Sequence, residues 1–134
     1  MTSATYLLDS DVIIDALNGK KDRHVLLDGL LRERRLLACC AINVTEIYAG
    51  VRPHEEERTR EFIDCLSYYL VTREVAREAG LLKRHWSRKG TTLSLADATI
   101  AAVALAYELP LITGNAKHYP MPELRLVPLP GQRG

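Results

Sequence analysis

Short uncharged apolar runs alternate along this chain with longer amphipathic stretches. Tyr6-Leu7-Leu8 stops at Asp9 and predicts a buried strand with that acid at its carboxyl end. Val12–Leu17 predicts a helix that stops at Asn18-Gly19. Arg23–Arg35 sets Val25, Leu26, Leu27, Leu30 and Leu31 among polar residues, which is the pattern of an amphipathic helix. Leu36–Ile42 carries no charge and predicts a second buried strand. Asn43-Val44-Thr45-Glu46 follows with the spacing of a capping box, so Asn43 is expected to cap a helix that runs to Gly50, with Pro53 beyond it. A helix over His54–Leu66, a strand over Tyr68–Val71 and a helix over Arg73–Arg88, capped by Thr72, come next. Ser94-Leu95-Ala96-Asp97 opens a nearly all-apolar helix that ends before Pro110. Leu111–Thr113 predicts a fourth strand ending at Gly114-Asn115, and Leu126-Val127 a fifth inside a proline-rich tail.

Strands alternating with helices specify an α/β fold: a doubly wound, mainly parallel central sheet flanked by helices, expected as a single domain over residues 1–134. In such sheets ligands bind beyond the carboxyl ends of the strands. Asp9 and Asn115 directly follow predicted strands, and Glu46 and Asp97 lie in first turns of predicted helices. With 47% apolar and 26% charged residues, the composition is that of a globular protein and excludes a disordered or fibrous one. A net charge of +1 carries no global nucleic-acid signal, so such a role must rest on a local patch or on chemistry.

The cysteines are Cys39, Cys40 and Cys65. An odd number with two neighbours in an apolar run argues for reduced thiols in a cytoplasmic protein, and no CxxC or HxxxH spacing suggests zinc. The opening Met-Thr-Ser-Ala-Thr lacks the pattern of a signal peptide. The longest apolar stretch, Leu95–Tyr107, contains Asp97 and falls short of the roughly 20 residues that a membrane span needs, so no membrane association is expected.

Each junction acid has a structural alternative. Asp9 suits a helix cap or turn, Glu46 a capping box and a first-turn position favoured by the helix dipole, and Asp97 a capping pattern with Ser94 as N-cap. Asp97 stands out because its helix is apolar almost all round, and a carboxylate there is costly to bury without a partner or a cation. Were the three to converge, their repulsion would call for a cation. Hard oxygen donors without His or Cys favour Mg²⁺, with Mn²⁺ as substitute. A cation so held activates water and stabilises charge at phosphorus, the chemistry of phosphodiester hydrolysis.

Four segments carry a family resemblance. Tyr6-Leu-Leu-Asp-Ser-Asp-Val-Ile-Ile-Asp15 resembles the opening of a PIN domain. Asn43-Val-Thr-Glu-Ile-Tyr-Ala-Gly-Val51 contains the TE-x-x-x-G pattern of VapC-type toxins. Leu95-Ala-Asp-Ala-Thr-Ile-Ala-Ala102 and Leu111-Ile-Thr-Gly-Asn-Ala-Lys-His-Tyr119 are similar to the third and fourth motifs, in order and over nearly the whole chain. The resemblance implies a metal-dependent endoribonuclease of a VapBC toxin–antitoxin pair. It implies Asp9 and Asp97 as direct metal ligands, Glu46 acting through water or on a second ion, an RNA substrate, a VapB-type antitoxin partner and a homodimer. At the fourth position many relatives carry an acid where this chain has Asn115, whose amide oxygen can still position water or a ligand. Asp11 is the nearest spare acid, and His118 is either a phosphate contact or a plain surface residue.

The stretch Arg73–Lys89 sets six basic residues against Glu74 and Glu78. Arg84 and Arg88 are its candidate substrate-binding residues, the alternative being a solvated helix face. Trp86 is read as a packing residue, with stacking on a base as the alternative. The apolar positions of Val25–Leu31 and Phe62–Leu66 are either core faces or grooves for a partner segment. Two rival functions stay open. One is a catalytically silent RNA- or protein-binding module on the same fold, favoured by Asn115. The other is a phosphatase of the haloacid dehalogenase type, favoured by Asp9-Ser10-Asp11 but leaving Asp97 without a role.

Overall fold

The computed structural model describes residues 4–127 and 129. The expectations for the opening Met1–Ser3 segment and for residues 128 and 130–134 of the tail lie outside the described residues.

Five strands form one all-parallel sheet: β1 (Thr5–Leu8), β2 (Leu36–Cys40), β3 (Ser67–Tyr69), β4 (Leu111–Ile112) and β5 (Leu126–Val127). Their order is β3-β2-β1-β4-β5. The chain winds outward from β1 through β2 to β3, then crosses back to lay β4 on the other side of β1. The switch point therefore lies between β1 and β4, where an open α/β sheet leaves a crevice at its carboxyl edge. Register sets Leu8 beside Ile112, so Asp9 and Thr113 leave the sheet side by side.

Six helices cover the sheet: α1 (Ser10–Leu17), α2 (Arg23–Arg32), α3 (Ala41–Gly50), α4 (Glu56–Asp64), α5 (Arg73–Arg88) and α6 (Leu95–Ala106). The period-two alternation of the strands sorts their side chains between two cores. Leu7, Ala38, Cys40 and Leu111 face one way, with Ile100 and Val103 of α6 and Val75 and Ala79 of α5. Leu8, Leu37, Cys39 and Ile112 face the other, with Val12, Ile13, Leu27 and Ile47. Both faces are thus covered, which is why the strands read as unbroken apolar runs.

Several element ends differ from the sequence expectation. α1 begins at Ser10 rather than Val12, because Asp9 has extended backbone angles and its Oδ1 accepts the Ser10 N–H at 2.8 Å, the geometry of an N-cap. β2 ends at Cys40, not Ile42, and α3 starts there. Asn43 is therefore not the cap: it lies in the first turn and its Oδ1 reaches back to the Cys40 N–H at 2.8 Å. That leaves Glu46 free of the capping role. The expected helix over His54–Leu66 is split, with a 3₁₀ turn at Pro53–Glu55 before α4. No helix among the described residues is long and apolar enough to cross a membrane.

Candidate active site

The carboxyl edge at the switch point gathers the junction acids. Asp9 is nearly buried at 6% exposure and is held by three donors. Its Oδ1 takes the Ser10 N–H, while its Oδ2 takes the Thr113 hydroxyl at 2.7 Å and the Tyr119 hydroxyl at 2.9 Å. Asp97 sits in the first turn of α6, whose cap is Ser94, with Oγ accepting the Asp97 N–H at 3.0 Å. The capping oxygen and the acid are thus separate groups, and the Asp97 carboxylate is free to face the edge. Its Oδ1 lies 3.3 Å from the Tyr119 hydroxyl, and its Oδ2 lies 3.4 Å from His118 Nδ1.

Glu46 joins through a side-chain bridge. Fully buried Asn43 donates through Nδ2 to the Leu8 carbonyl and to Ser10 Oγ, each at 3.0 Å. Ser10 Oγ in turn donates to Glu46 Oε1 at 2.7 Å. Asn43 thereby locks the end of β1 to the starts of α1 and α3, and Glu46 stands at the exposed rim of the cluster.

Asn115 does not meet the Asp9–Asp97 pair. It turns to Asp11, donating from Nδ2 to Oδ2 at 3.2 Å, beside the Gly114 N–H at 2.9 Å. Burial and the nearby Asp9 charge push the Asp11 carboxyl up to about 6. Its other oxygen, Oδ1, is buried and has no partner among the described residues. Near it lies Arg23, only 6% exposed, whose Nε is likewise buried and unpartnered. Arg23 follows Lys21 and Asp22, both at φ 55°, a left-handed conformation that costs energy in residues bearing a Cβ.

Electrostatically the cluster has more acceptors than protons. Tyr119 carries one phenolic proton yet faces two carboxylates. Burial, then Asp9 and Asp97, push its pKa far above the ordinary phenol range, so it stays protonated. With the side chains as they stand, no three His, Cys, Asp or Glu groups among the described residues are disposed to hold an ion. The donor chemistry nonetheless suits a hard divalent cation. Two carboxylates share one proton, a third oxygen at Asp11 is orphaned, and the group that joins Asp9 to Asp97 is an oxygen, the Tyr119 hydroxyl. Cys39, whose thiol burial pushes up to about 11, points into the core and offers no nucleophile.

Arg84 and Arg88 are exposed on α5. The neighbouring Lys83 ammonium donates to the Leu93 carbonyl, which sets this half of α5 beside the start of α6. Trp86 packs against the α5–α6 core with the Lys89 ammonium 5.1 Å from its ring centroid, the packing role expected for it. Ser10, Asn43, Thr113, Tyr119 and Arg23 were not singled out from sequence as site residues. Thr113 and Tyr119 do fall inside the fourth resemblance segment, which is the one signal that pointed to them.

A family profile described as the PIN domain matches residues 6–124. Ribonuclease VapC19 of Mycobacterium tuberculosis is 32% identical over 120 residues, spanning 89% of this chain and 96% of that protein. Ribonuclease VapC10 of the same organism is 32% identical over 131 residues, spanning 95% and 96%. Among solved structures, a toxin–antitoxin complex from Klebsiella pneumoniae superposes with a TM-score of 0.76 at 25% identity, over 92% of this chain and 98% of that one. VapBC2 from Rickettsia felis, bound to a DNA fragment from their promoter, superposes with a TM-score of 0.77 at 22% identity, over 92% and 97%.

Proposed function

The chain belongs to the PIN-domain family and is homologous to mycobacterial VapC ribonucleases, and from that premise we propose that it is a Mg²⁺-dependent endoribonuclease acting as the toxin of a toxin–antitoxin pair. The observation that carries this reading is the meeting of Asp9 and Asp97, 88 positions apart in sequence, on one buried hydroxyl at the switch point of the sheet. The family match also removes the dehalogenase-type phosphatase from consideration, since Asp97 now has a place in the cluster.

Asp9 and Asp97 would hold the cation through their oxygens, Mn²⁺ serving as well as Mg²⁺, and Glu46 would reach it through a water. When bound, the cation polarises the phosphate and eases loss of a proton from the attacking water. The chain's own residues supply the frame. Thr113 and Ser10 fix the Asp9 carboxylate from behind, Ser10 also steers Glu46, and the Ser94 cap turns Asp97 toward the edge. Asn115 holds Asp11 beside the site rather than entering it. Arg84 and Arg88, exposed near the start of α6, would track RNA phosphates.

The partner assignments follow from the same relatives. A VapB-type antitoxin silences the enzyme, and the cleft of about 650 Å³ lined by Leu17, Leu27, Leu31, Arg58 and Phe62 is the surface we assign to its segment. Both apolar stretches noted in the sequence contribute to that cleft. A homodimer and a cytoplasmic site of action complete the proposal, the latter because its substrate is cellular RNA.

The test is cleavage of labelled RNA by the partner-free protein with Mg²⁺, with Mn²⁺ and with EDTA, beside Asp97→Asn. Metal-dependent cutting by the wild type alone supports the reading; equal cutting by both proteins refutes the site. A second reading, a silent RNA-binding module, draws support from the absence of three converging ligands among the described residues and from the neutral Asn115. It predicts RNA binding without cutting in either metal.

A further inference from the structure

Tyr119 lies just beyond the 3₁₀ turn Ala116–His118 and is 3% exposed. Its ring packs in the core shared with α5 and α6, and its hydroxyl alone reaches the site. We propose that this hydroxyl sits in the seat of the divalent cation. Tyr119 is then a positioning residue that clasps Asp9 to Asp97 in the metal-free protein and weakens metal binding by competing for the same oxygens. The inference rests on the metal-dependent reading above.

The lone pairs on Asp9 Oδ2 set the limit. A carboxylate oxygen offers two. Asp9 Oδ2 has both in use, one by Thr113 and one by Tyr119. Asp9 Oδ1 accepts only the Ser10 N–H, but a cation bound between Asp9 Oδ2 and Asp97 must displace one of these donors. Thr113 is 1% exposed, and its hydroxyl is also tied to the Asn115 N–H at 2.9 Å. It makes no hydrogen bond to Asp97 among the described residues. Tyr119 has Asp97 Oδ1 at 3.3 Å as well and is the donor that stands between the two carboxylates. The clasp offsets their repulsion without a metal, so the edge keeps its shape before the cation arrives.

Two substitutions that each delete one hydrogen bond to the same oxygen separate this role from mere support. Mn²⁺ is titrated into the full chain, free of partner, and bound metal is followed by loss of the free-ion EPR signal. Tyr119→Phe, which vacates the seat, is expected to bind Mn²⁺ about tenfold more tightly, the worth of one charge-assisted hydrogen bond. Thr113→Val loosens Asp9 without vacating the seat and is expected to bind more weakly than the wild type. Equal or weaker binding by Tyr119→Phe overturns the proposal, as does tighter binding by Thr113→Val. Asp97→Asn judges the underlying reading separately: if wild type, Tyr119→Phe and Asp97→Asn all fail to bind Mn²⁺, the metal-dependent reading itself falls and this inference with it. Should Tyr119→Phe not fold, the ¹³Cζ resonance of Tyr119 in the wild type decides. Saturating Mg²⁺ is expected to move it, and an unmoved resonance refutes the clasp.

Discussion

Asp11→Asn is expected to stabilise the metal-free protein at neutral pH and to leave it unchanged near pH 4. The folded protein raises the Asp11 carboxyl from 3.8 to about 6, through burial first and the Asp9 charge second. An acid whose pKa is higher in the folded state binds more protons folded than unfolded between those two values. Stability from this group is therefore fully present below the unfolded value and is lost as pH rises through about 6. The shift of roughly two units corresponds to about 3 kcal/mol if undiminished, and to ~1–2 kcal/mol after discounting for the part of the side chain that solvent screens. The amide keeps an acceptor for the Gly114 N–H and puts a donor where Oδ1 now lies unpartnered near Asp9. Urea denaturation in EDTA, run on both proteins at half-unit steps from pH 4 to 8, measures the difference. It should open from zero to ~1–2 kcal/mol and level off above pH 6.5 or so. A constant offset across that range, or a less stable variant at pH 7, would refute the reasoning.

Gly114→Ala places its Cβ against Asp11 Oδ2, well inside contact distance. It should cost roughly 1–3 kcal/mol alone and much less on an Asp11→Ala background, which a double-mutant cycle by urea denaturation will show. Asp97→Asn should abolish metal-dependent RNA cleavage with a melting temperature close to wild type in EDTA, because its carboxylate has only the longer Tyr119 and His118 contacts to lose. Asp9→Ala should cost roughly 2–3 kcal/mol as well as activity, since it leaves the Ser10 N–H, Thr113 and Tyr119 donors without their acceptor; an unchanged melting curve would contradict that. Arg84→Ala and Arg88→Ala should each weaken RNA binding and lower the slope of log affinity against log salt by about one, as measured by fluorescence anisotropy.

The alternation of apolar runs with amphipathic stretches was sufficient to read the sheet, because its central strands β1, β2 and β4 send apolar side chains into both cores. Strand ends and helix starts put Asp9 and Asp97 at element junctions, but their approach to one edge was implied only by the family resemblance. Less legible was anything decided across the fold. Asn43 looks like a cap from its spacing to Glu46, but the Leu8 carbonyl and Ser10 hydroxyl draw its amide inward, and no local pattern reports those partners. Tyr119 reads as one more aromatic after a turn until β4 is laid beside β1. Asn115 was expected to join the acids and instead binds Asp11, a choice set by where the Gly114 turn points. The burial of Arg23 follows an α1–α2 connection in which Gly19 is left-handed, as the sequence announces, but so are Lys21 and Asp22, which it does not.

The position of β4 has a consequence for the newborn chain. β4 is made after β1, β2 and β3, yet it enters the sheet between β1 and β5. Until residues 111–119 have left the ribosome, Asp9 lacks Thr113 and Tyr119, and nothing joins it to Asp97. A nascent chain that lacks them therefore has no assembled site. The order of synthesis, set against the order of strands in space, acts as a delay between making this protein and completing its site.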